Sequence, residues 1–444
     1  MNTPTLKLSM SRFQKVGAAV IRFSKDVPQV VVIFSFSLML GACEQSADKL
    51  PDQPTQSSPQ KTQTTNTLVW SEVERKQLDS LSIKHLPRVP NDPSNRYQSN
   101  PAAIALGAQL FFDPRLSATG TISCSVCHQP NRQFSDGLRV ASGIKPGLRN
   151  TPSLVGVAHQ QWLFWDGRKD SVWAQALEPF ENPAEHNLSR VSLLQIVFSV
   201  KDYKAAYQAV FGKLPAQEVI NSWPKQASPQ GDIHALKAWK ALPIEQRQQI
   251  NRLYANLGKA IAAYESTLAF QESRFDRFIS SLSNPTSPSE EILTQQEQQG
   301  LKLFLGKAAC MSCHHSPLLS NSSFQNIGTG VRGKDLGRAQ VAEAQAWDVF
   351  NCLGDYSDAP KSACNELRFM NKNRHELSGS FKVPSLRNVS KTAPYMHDGR
   401  FASLAEVVRY YTNPPSRLRS DHHLPDIQLS ETEQAQLLAF LKSL

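Results

Sequence analysis

Two pentapeptides carry the densest chemistry in this chain: Cys124-Ser125-Val126-Cys127-His128 and Cys310-Met311-Ser312-Cys313-His314. Both read C-x-x-C-H. Two thiols one helical turn apart can each form a thioether to a vinyl group of one haem, and the histidine that follows is then placed under the ring to bind iron. A zinc site built from both pairs would have to close across the whole stretch between Cys127 and Cys310, and would leave a His after each pair without a purpose. The expectation is two covalent c-type haems, attached at Cys124, Cys127, Cys310 and Cys313, with His128 and His314 as iron ligands. Two haems on one chain imply redox work.

The chain around them begins with a basic stretch (Lys7, Arg12, Lys15, Arg22, Lys25) and a mostly apolar run from Val27 to Ala42. That run is short for a membrane span and suits a signal peptide. It ends Leu40-Gly41-Ala42-Cys43, which resembles a bacterial lipobox and implies cleavage before Cys43 and a lipid on its sulfur. An uncleaved anchor with an incidental Cys is the other reading. Either way the body is expected outside the cytoplasm, in the periplasm and held to a membrane. Residues 1–42 are therefore read as a lipoprotein signal peptide, and 43–68, rich in Gln, Ser, Thr and Pro, as a disordered tether. The net charge of +10 falls to about +6 without the leader, which has five bases and Asp26. This is too diffuse for a nucleic-acid footprint. Of seven Cys, one takes lipid and four take haem, so Cys352 and Cys364 remain. In an oxidising compartment they are expected to form a disulfide.

The rest reads as helical, with no strand-rich stretch. Asn100-Pro101 looks like a cap and first position opening a helix through Phe112; helical spacing runs from Ile250 to Phe278; further helices are expected over Thr294 to Leu305 and Thr432 to Leu444. The two halves repeat one another. Arg149-Asn150-Thr151-Pro152-Ser153-Leu154 and Trp165-Asp166-Gly167-Arg168 follow the first motif; Pro384-Ser385-Leu386 and His397-Asp398-Gly399-Arg400 follow the second. The interval from Pro152 to Asp166 equals that from Pro384 to Asp398, and a Ser stands at the same offset after each Asp, at Ser171 and Ser403. The path from the motif His to that Pro is much longer in the second half, His314 to Pro384, than in the first, His128 to Pro152. The second half therefore carries a long insertion, and Cys352 and Cys364 lie inside it. The fold class is thus all-α, two cytochrome c-like haem domains related by internal duplication, over 69–285 and 286–444. Counting equally far past each Asp puts Pro179 and Tyr411 in equivalent places, and Tyr411 shares a helical face with Leu404 and Val408.

These motifs, together with Q-A-x-x-P-x-x-N-P-x-E, V-P-S-L-R-N and A-P-Y-M-H-D-G-R, resemble the bacterial di-haem cytochrome c peroxidase and MauG family from about residue 100 to 444. The resemblance implies a first haem that meets hydrogen peroxide, a second that passes electrons to it, and calcium between them. It implies that Gln175 and Glu185 line the first haem's distal pocket, with Glu185 moving a proton between the peroxide oxygens. It implies that Trp165 relays charge between the haems, and that Asn150, Thr392 and Pro394 hold calcium through oxygen.

Departures from the family pattern set the expected subtype. Classical peroxidases of the family carry a capping His in the loop beyond the first motif; here position 144 is Ile, and no His lies between His128 and His159. The first haem is expected to be five-coordinate, with Pro179 unable to bind iron and His186 the one possible exception. Tyr411 stands where such peroxidases have a Met on the second haem, with Tyr410 the competing position. A phenolate there lowers the haem potential relative to Met. The expected function is a di-haem peroxidase reducing hydrogen peroxide to water with electrons from a small cytochrome or cupredoxin. The alternatives are a MauG-like oxidase that modifies a residue on a partner protein, or a plain electron-transfer cytochrome. A homodimer is compatible with any of these.

Overall fold

A 22-residue helix, Ile244–Glu265, is the element against which the first half packs. The structure, a computed structural model, describes residues 68–283, 292–329, 335–345, 347–414 and 422–444, all within one compact unit. The leader, Cys43, the tether as far as residue 67 and the expected domain boundary at 285 lie outside the described residues. The described chain is mostly helical. Its one small sheet pairs Phe324–Gln325 antiparallel with Phe381–Lys382, Phe324 opposite Lys382.

Two helices lie against the long one. Pro101–Phe112 starts where the sequence places it: the Asn100 side chain accepts from the backbone of Ala102 and Ala103 at 2.9 and 3.2 Å, with Pro101 at the first position. Val172–Glu181 approaches at Gly258, where a Cβ would lie 2.5 Å from the Trp173 carbonyl oxygen. Only glycine allows that contact. Leu106, Trp173, Leu177, Phe198 and Tyr254 fill the core between these elements, and Cys124 packs on its edge.

The helical spacing from Ile250 to Phe278 is not one helix. The long helix stops at Glu265, and a second, Arg274–Leu282, begins after a loop. Local hydrogen bonding decides this. Ser266 and Thr267 turn their hydroxyls back onto the Ala262 and Tyr264 carbonyls, and Ser273 with Asp276 forms a reciprocal capping box. The apolar period continues across the break because the two helices serve different cores. Phe275 and Phe278 join Phe304 and Phe440 in a second cluster, to which Trp70, Leu78 and Leu81 also belong. Cys310, Met311 and Tyr411 pack on its edge. Gln295–Leu305 and Glu431–Leu441 frame it, each opened by a capping box, Thr294 with Glu297 and Ser430 with Glu433.

The extra length of the second half reaches back to the first. Phe350 and Tyr356 sit in the first core. Asp358 pairs with the buried Lys259 at 2.7 Å, Asp348 pairs with Lys169, and the Cys352 amide donates to Asp170 at 2.7 Å. Cys352 and Cys364 are joined by a disulfide within this segment.

Candidate active site

The first Cys pair forms a single helical turn, Cys124–Cys127, which ends at His128. The His128 amide donates to the Cys124 carbonyl at 2.9 Å, and its Nδ1 lies 2.9 Å from the Phe134 carbonyl. A carbonyl can only accept, so Nδ1 carries the proton and Nε2 keeps its lone pair. The second site repeats this: His314 Nδ1 donates to the Leu319 carbonyl at 3.0 Å. Both carbonyls come from non-glycine residues in the left-handed region, Phe134 at φ 54° and Leu319 at φ 52°. Strain of that kind persists where the surroundings hold the carbonyl in place. Burial pushes both imidazoles toward the neutral, ligating form, His314 down to about 4.

A small cavity beside His128 is lined by Gln175, Pro179, Glu185, His186 and Glu265. Gln175 and Pro179 are one turn apart on Val172–Glu181, so they share a face. The helix ends at Asn182, and the turn after it aims Glu185. Asn182 accepts from the Ala184 amide at 3.0 Å and donates to Glu185 Oε1 at 2.6 Å. The 143–145 loop presses on the same turn. A Cβ at Gly143 would lie 2.6 Å from the Ala184 carbonyl, and the Ile144 amide reaches the Glu185 carbonyl at 3.4 Å. Burial raises the Glu185 pKa, with Arg168 opposing and Glu178 adding to the rise. His186 is a fixed wall: its Nδ1 donates to the Leu116 carbonyl at 2.5 Å and its ring meets Phe180 edge-on.

A larger cavity, about 310 Å³, is lined by Cys310, Cys313, His314 and Tyr411, and also by His128, Trp165 and Gln175. Trp165 donates its indole N–H to the Asn150 carbonyl at 2.9 Å. Asn150, Thr392 and Pro394 line the same cavity. The Asn150 side-chain Nδ2 donates to the Leu138 carbonyl at 2.8 Å, which leaves its side-chain oxygen without a hydrogen bond among the described residues. Tyr411 and Tyr410 separate cleanly. Tyr410 faces away and donates its hydroxyl to the Ile327 carbonyl at 2.7 Å, whereas Tyr411 lines the cavity and burial raises its pKa.

The turns around the two D-G-R triplets also match. Leu163 bridges Lys169 around the first and Tyr395 bridges Phe401 around the second; Ser171 and Ser403 then stand at the N-cap positions of the helices that carry Pro179 and Tyr411, and of the two only the Ser403 side chain makes a cap hydrogen bond.

The donor set fits covalent haem at both sites. Each offers two free thiols on one turn and a neutral imidazole with Nε2 available, facing a largely apolar cavity. Two features that the sequence reading passed over fit as well. Lys382 lines the larger cavity and donates to Gln160, with no carboxylate partner among the described residues; burial lowers its pKa to about 8. Such a cation suits a group bearing carboxylates, as haem does. Glu265 is 4% exposed and burial raises its pKa to about 8. Its signal in the sequence is a carboxylate on an otherwise apolar stripe, Leu257, Ile261, Glu265.

A family model described as di-haem cytochrome c peroxidase matches residues 101–284. The methylamine utilization protein MauG of Methylorubrum extorquens is 30% identical over 359 residues, 80% of this chain and 81% of that protein. The cytochrome-c peroxidase IdrP1 of Denitromonas iodatirespirans is 30% identical over 371 residues, 81% and 85% of the two chains. Among solved structures, a MauG-like protein associated with microbial copper homeostasis superposes with a TM-score of 0.54 at 27% identity, covering 81% of this chain and 94% of that one.

Proposed function

Because this chain belongs to the di-haem cytochrome c peroxidase and MauG family, whose members are oxidoreductases, we propose that it reduces hydrogen peroxide to water with electrons from a small cytochrome or cupredoxin. The observation that carries this reading is the cavity beside His128, where Gln175, Pro179 and Glu185 converge. Position 144 is Ile rather than His, and its backbone amide meets the Glu185 carbonyl at 3.4 Å.

When bound, each haem supplies an iron that exchanges one electron at a time, and the first supplies the face that meets peroxide. Glu185 takes the proton from one peroxide oxygen and returns it to the other, so that water can leave. Its raised pKa suits a group that must act as base and then as acid. Gln175, whose Oε1 is buried without a partner among the described residues, orients the substrate by accepting a hydrogen bond from it. Pro179 offers no ligand atom, and His186 is tied to Leu116. Trp165 lines the cavity shared by His128 and His314 and is the indole through which charge passes between the sites. The net reaction is H2O2 + 2 H+ + 2 e− → 2 H2O.

Several finer readings belong to the same proposal. The matching turns and N-cap positions support two cytochrome c-like domains, 69–285 and 286–444, that arose by duplication. Asn150, Thr392 and Pro394 hold a calcium ion through oxygen. Cys43 carries lipid and tethers the enzyme on the periplasmic side of a membrane. Tyr411 as the second haem's ligand favours a second reading, in which the oxidising equivalents are refilled from a residue on a partner protein, as in a MauG-like oxidase.

The test is to add one equivalent of hydrogen peroxide to the diferric holoprotein and follow the absorption spectrum by stopped flow. A fast change without prior reduction is expected. A spectrum that waits for one added electron would mean a sixth ligand on the first haem, with His186 the first suspect. No change in either state would leave an electron carrier.

A further inference from the structure

Glu265 has no part in the peroxide chemistry described above, yet it faces the same cavity as Glu185. It closes the long helix at its C-terminal end, on the face that also presents Ile261. Its Oε2 is buried without a hydrogen-bond partner, and no cation pairs with it among the described residues. The titratable groups around it are Cys124, Cys127 and His128 of the motif turn, Glu185 and His186 of the turn after Val172–Glu181, and its neighbour Tyr264. None of these is a cation at neutral pH: burial holds both imidazoles neutral and raises the Cys124 thiol. In the holoprotein that thiol is consumed as a thioether.

A buried carboxylate with no compensating charge is stable only if something nearby is positive. No cation lies around it among the described residues, and the redox centre attached at Cys124 would supply one, its iron carrying one more positive charge when oxidised than when reduced. The oxidised site therefore favours the carboxylate, and the reduced site the acid. We infer that Glu265 is a redox-linked proton site of the first haem pocket: it takes up a proton when an electron arrives there and releases it when the electron leaves. This rests on the peroxidase reading for its purpose. Two protons are consumed with the two electrons that the donor supplies per peroxide, and Glu185, which returns the proton it takes, supplies neither. Glu265 admits one of them in step with an electron. With burial alone its pKa stands at about 8, so the exchange falls close to neutral pH once the oxidised site draws it down.

The experiment is a spectroelectrochemical titration of the holoprotein at a series of pH values from about 6 to 9, for wild type, E265Q and E185Q. Proton uptake on reduction makes the reduced state harder to reach as pH rises. The wild-type first-haem equilibrium should therefore shift against reduction by up to tenfold per pH unit, about 59 mV for one electron. E265Q should lose most of that slope, and E185Q should keep it. An E265Q slope equal to wild type overturns the inference. If E265Q fails to fold or to take haem, the wild-type infrared difference spectrum decides: a protonated-carboxyl C=O band growing on reduction supports the inference, and its absence sinks it. Peroxide reactivity is read separately. A protein with the wild-type slope but no peroxide reaction would keep this inference and lose the peroxidase reading.

Discussion

Glu185 and Glu265 line one cavity but differ in their ties. Glu185 is held by the Asn182 side chain, lies within the field of Arg168, and sits in a turn that Gly143 lets the 143–145 loop approach. Glu265 Oε2 has no hydrogen-bond partner among the described residues. A carboxylate that must reach a substrate needs the first kind of setting, because misplacement by even an ångström is costly to rate. Replacing Glu185 by Gln keeps the shape and the Asn182 contact but removes the titrating group. The rate of the peroxide-induced spectral change should fall by roughly 100- to 10,000-fold, with the diferric spectrum unchanged. Stopped-flow absorption checks both halves of that expectation. Glu185 was legible in the sequence because the N-P-x-E turn and its fixed offset from Gln175 form a motif. Glu265 was not. A single acid on an apolar helical stripe reads equally well as a helix end, and only the packing of Val172–Glu181 against Ile244–Glu265 turns that stripe toward the first haem.

At the scale of elements, the Val172–Glu181 helix sets the distance between Gln175 and His128, and its seat on the long helix depends on Gly258. A methyl group there would meet the Trp173 carbonyl at 2.5 Å and the Leu177 side chain at 2.8 Å. One of the two helices must then move. Gly258→Ala should destabilise the protein by about 1–3 kcal/mol in urea unfolding, as overpacked cores do. It should also slow the reaction with peroxide, since Gln175 and Pro179 ride on the displaced helix. An unchanged peroxide rate at reduced stability would mean that the helix absorbs the strain elsewhere. Helix starts were readable, Pro101 and Gln295 among them, because a cap is a local hydrogen-bond event. The stop after Glu265 was missed because hydrophobic period reports burial, and Leu268 and Phe275 are both partly or fully buried, though in different cores.

At the scale of the whole molecule, the segment from Asp348 to Asp358 fastens onto the first half of the chain. Lys259 is nearly fully buried on the long helix and its ammonium meets Asp358 at 2.7 Å, while Trp173 lies 5.4 Å from the same nitrogen. Burial lowers the Lys259 pKa and the pairing opposes that. Removing the lysine strands Asp358, which is only slightly exposed and keeps Arg96 at 3.7 Å as a weaker partner. Lys259→Ala should therefore cost about 2 kcal/mol, between what exposed and fully buried pairs cost when broken, since Asp358 is partly exposed. Lys259→Ala combined with Asp358→Ala should recover part of the loss. Denaturant midpoints of the two single variants and the double variant test this, and strictly additive losses would mean that the two groups do not interact.

By itself the sequence determined what is covalent or short-range: the two C-x-x-C-H turns, the cysteines left to pair, the capped helix starts, and the motif set of the family. Each depends on residues a few positions apart, or on chemistry that a residue type carries wherever it stands. The offset count favoured Tyr411 over Tyr410, and tertiary structure supplied the reason: the Ile327 carbonyl claims the Tyr410 hydroxyl while Tyr411 lines the cavity. Tertiary structure alone decided that Lys382 lines that cavity with no acid partner among the described residues, and that Glu265 shares a pocket with Glu185. Those outcomes depend on which surfaces exclude water together, and that follows from how distant segments pack rather than from the local order of the chain.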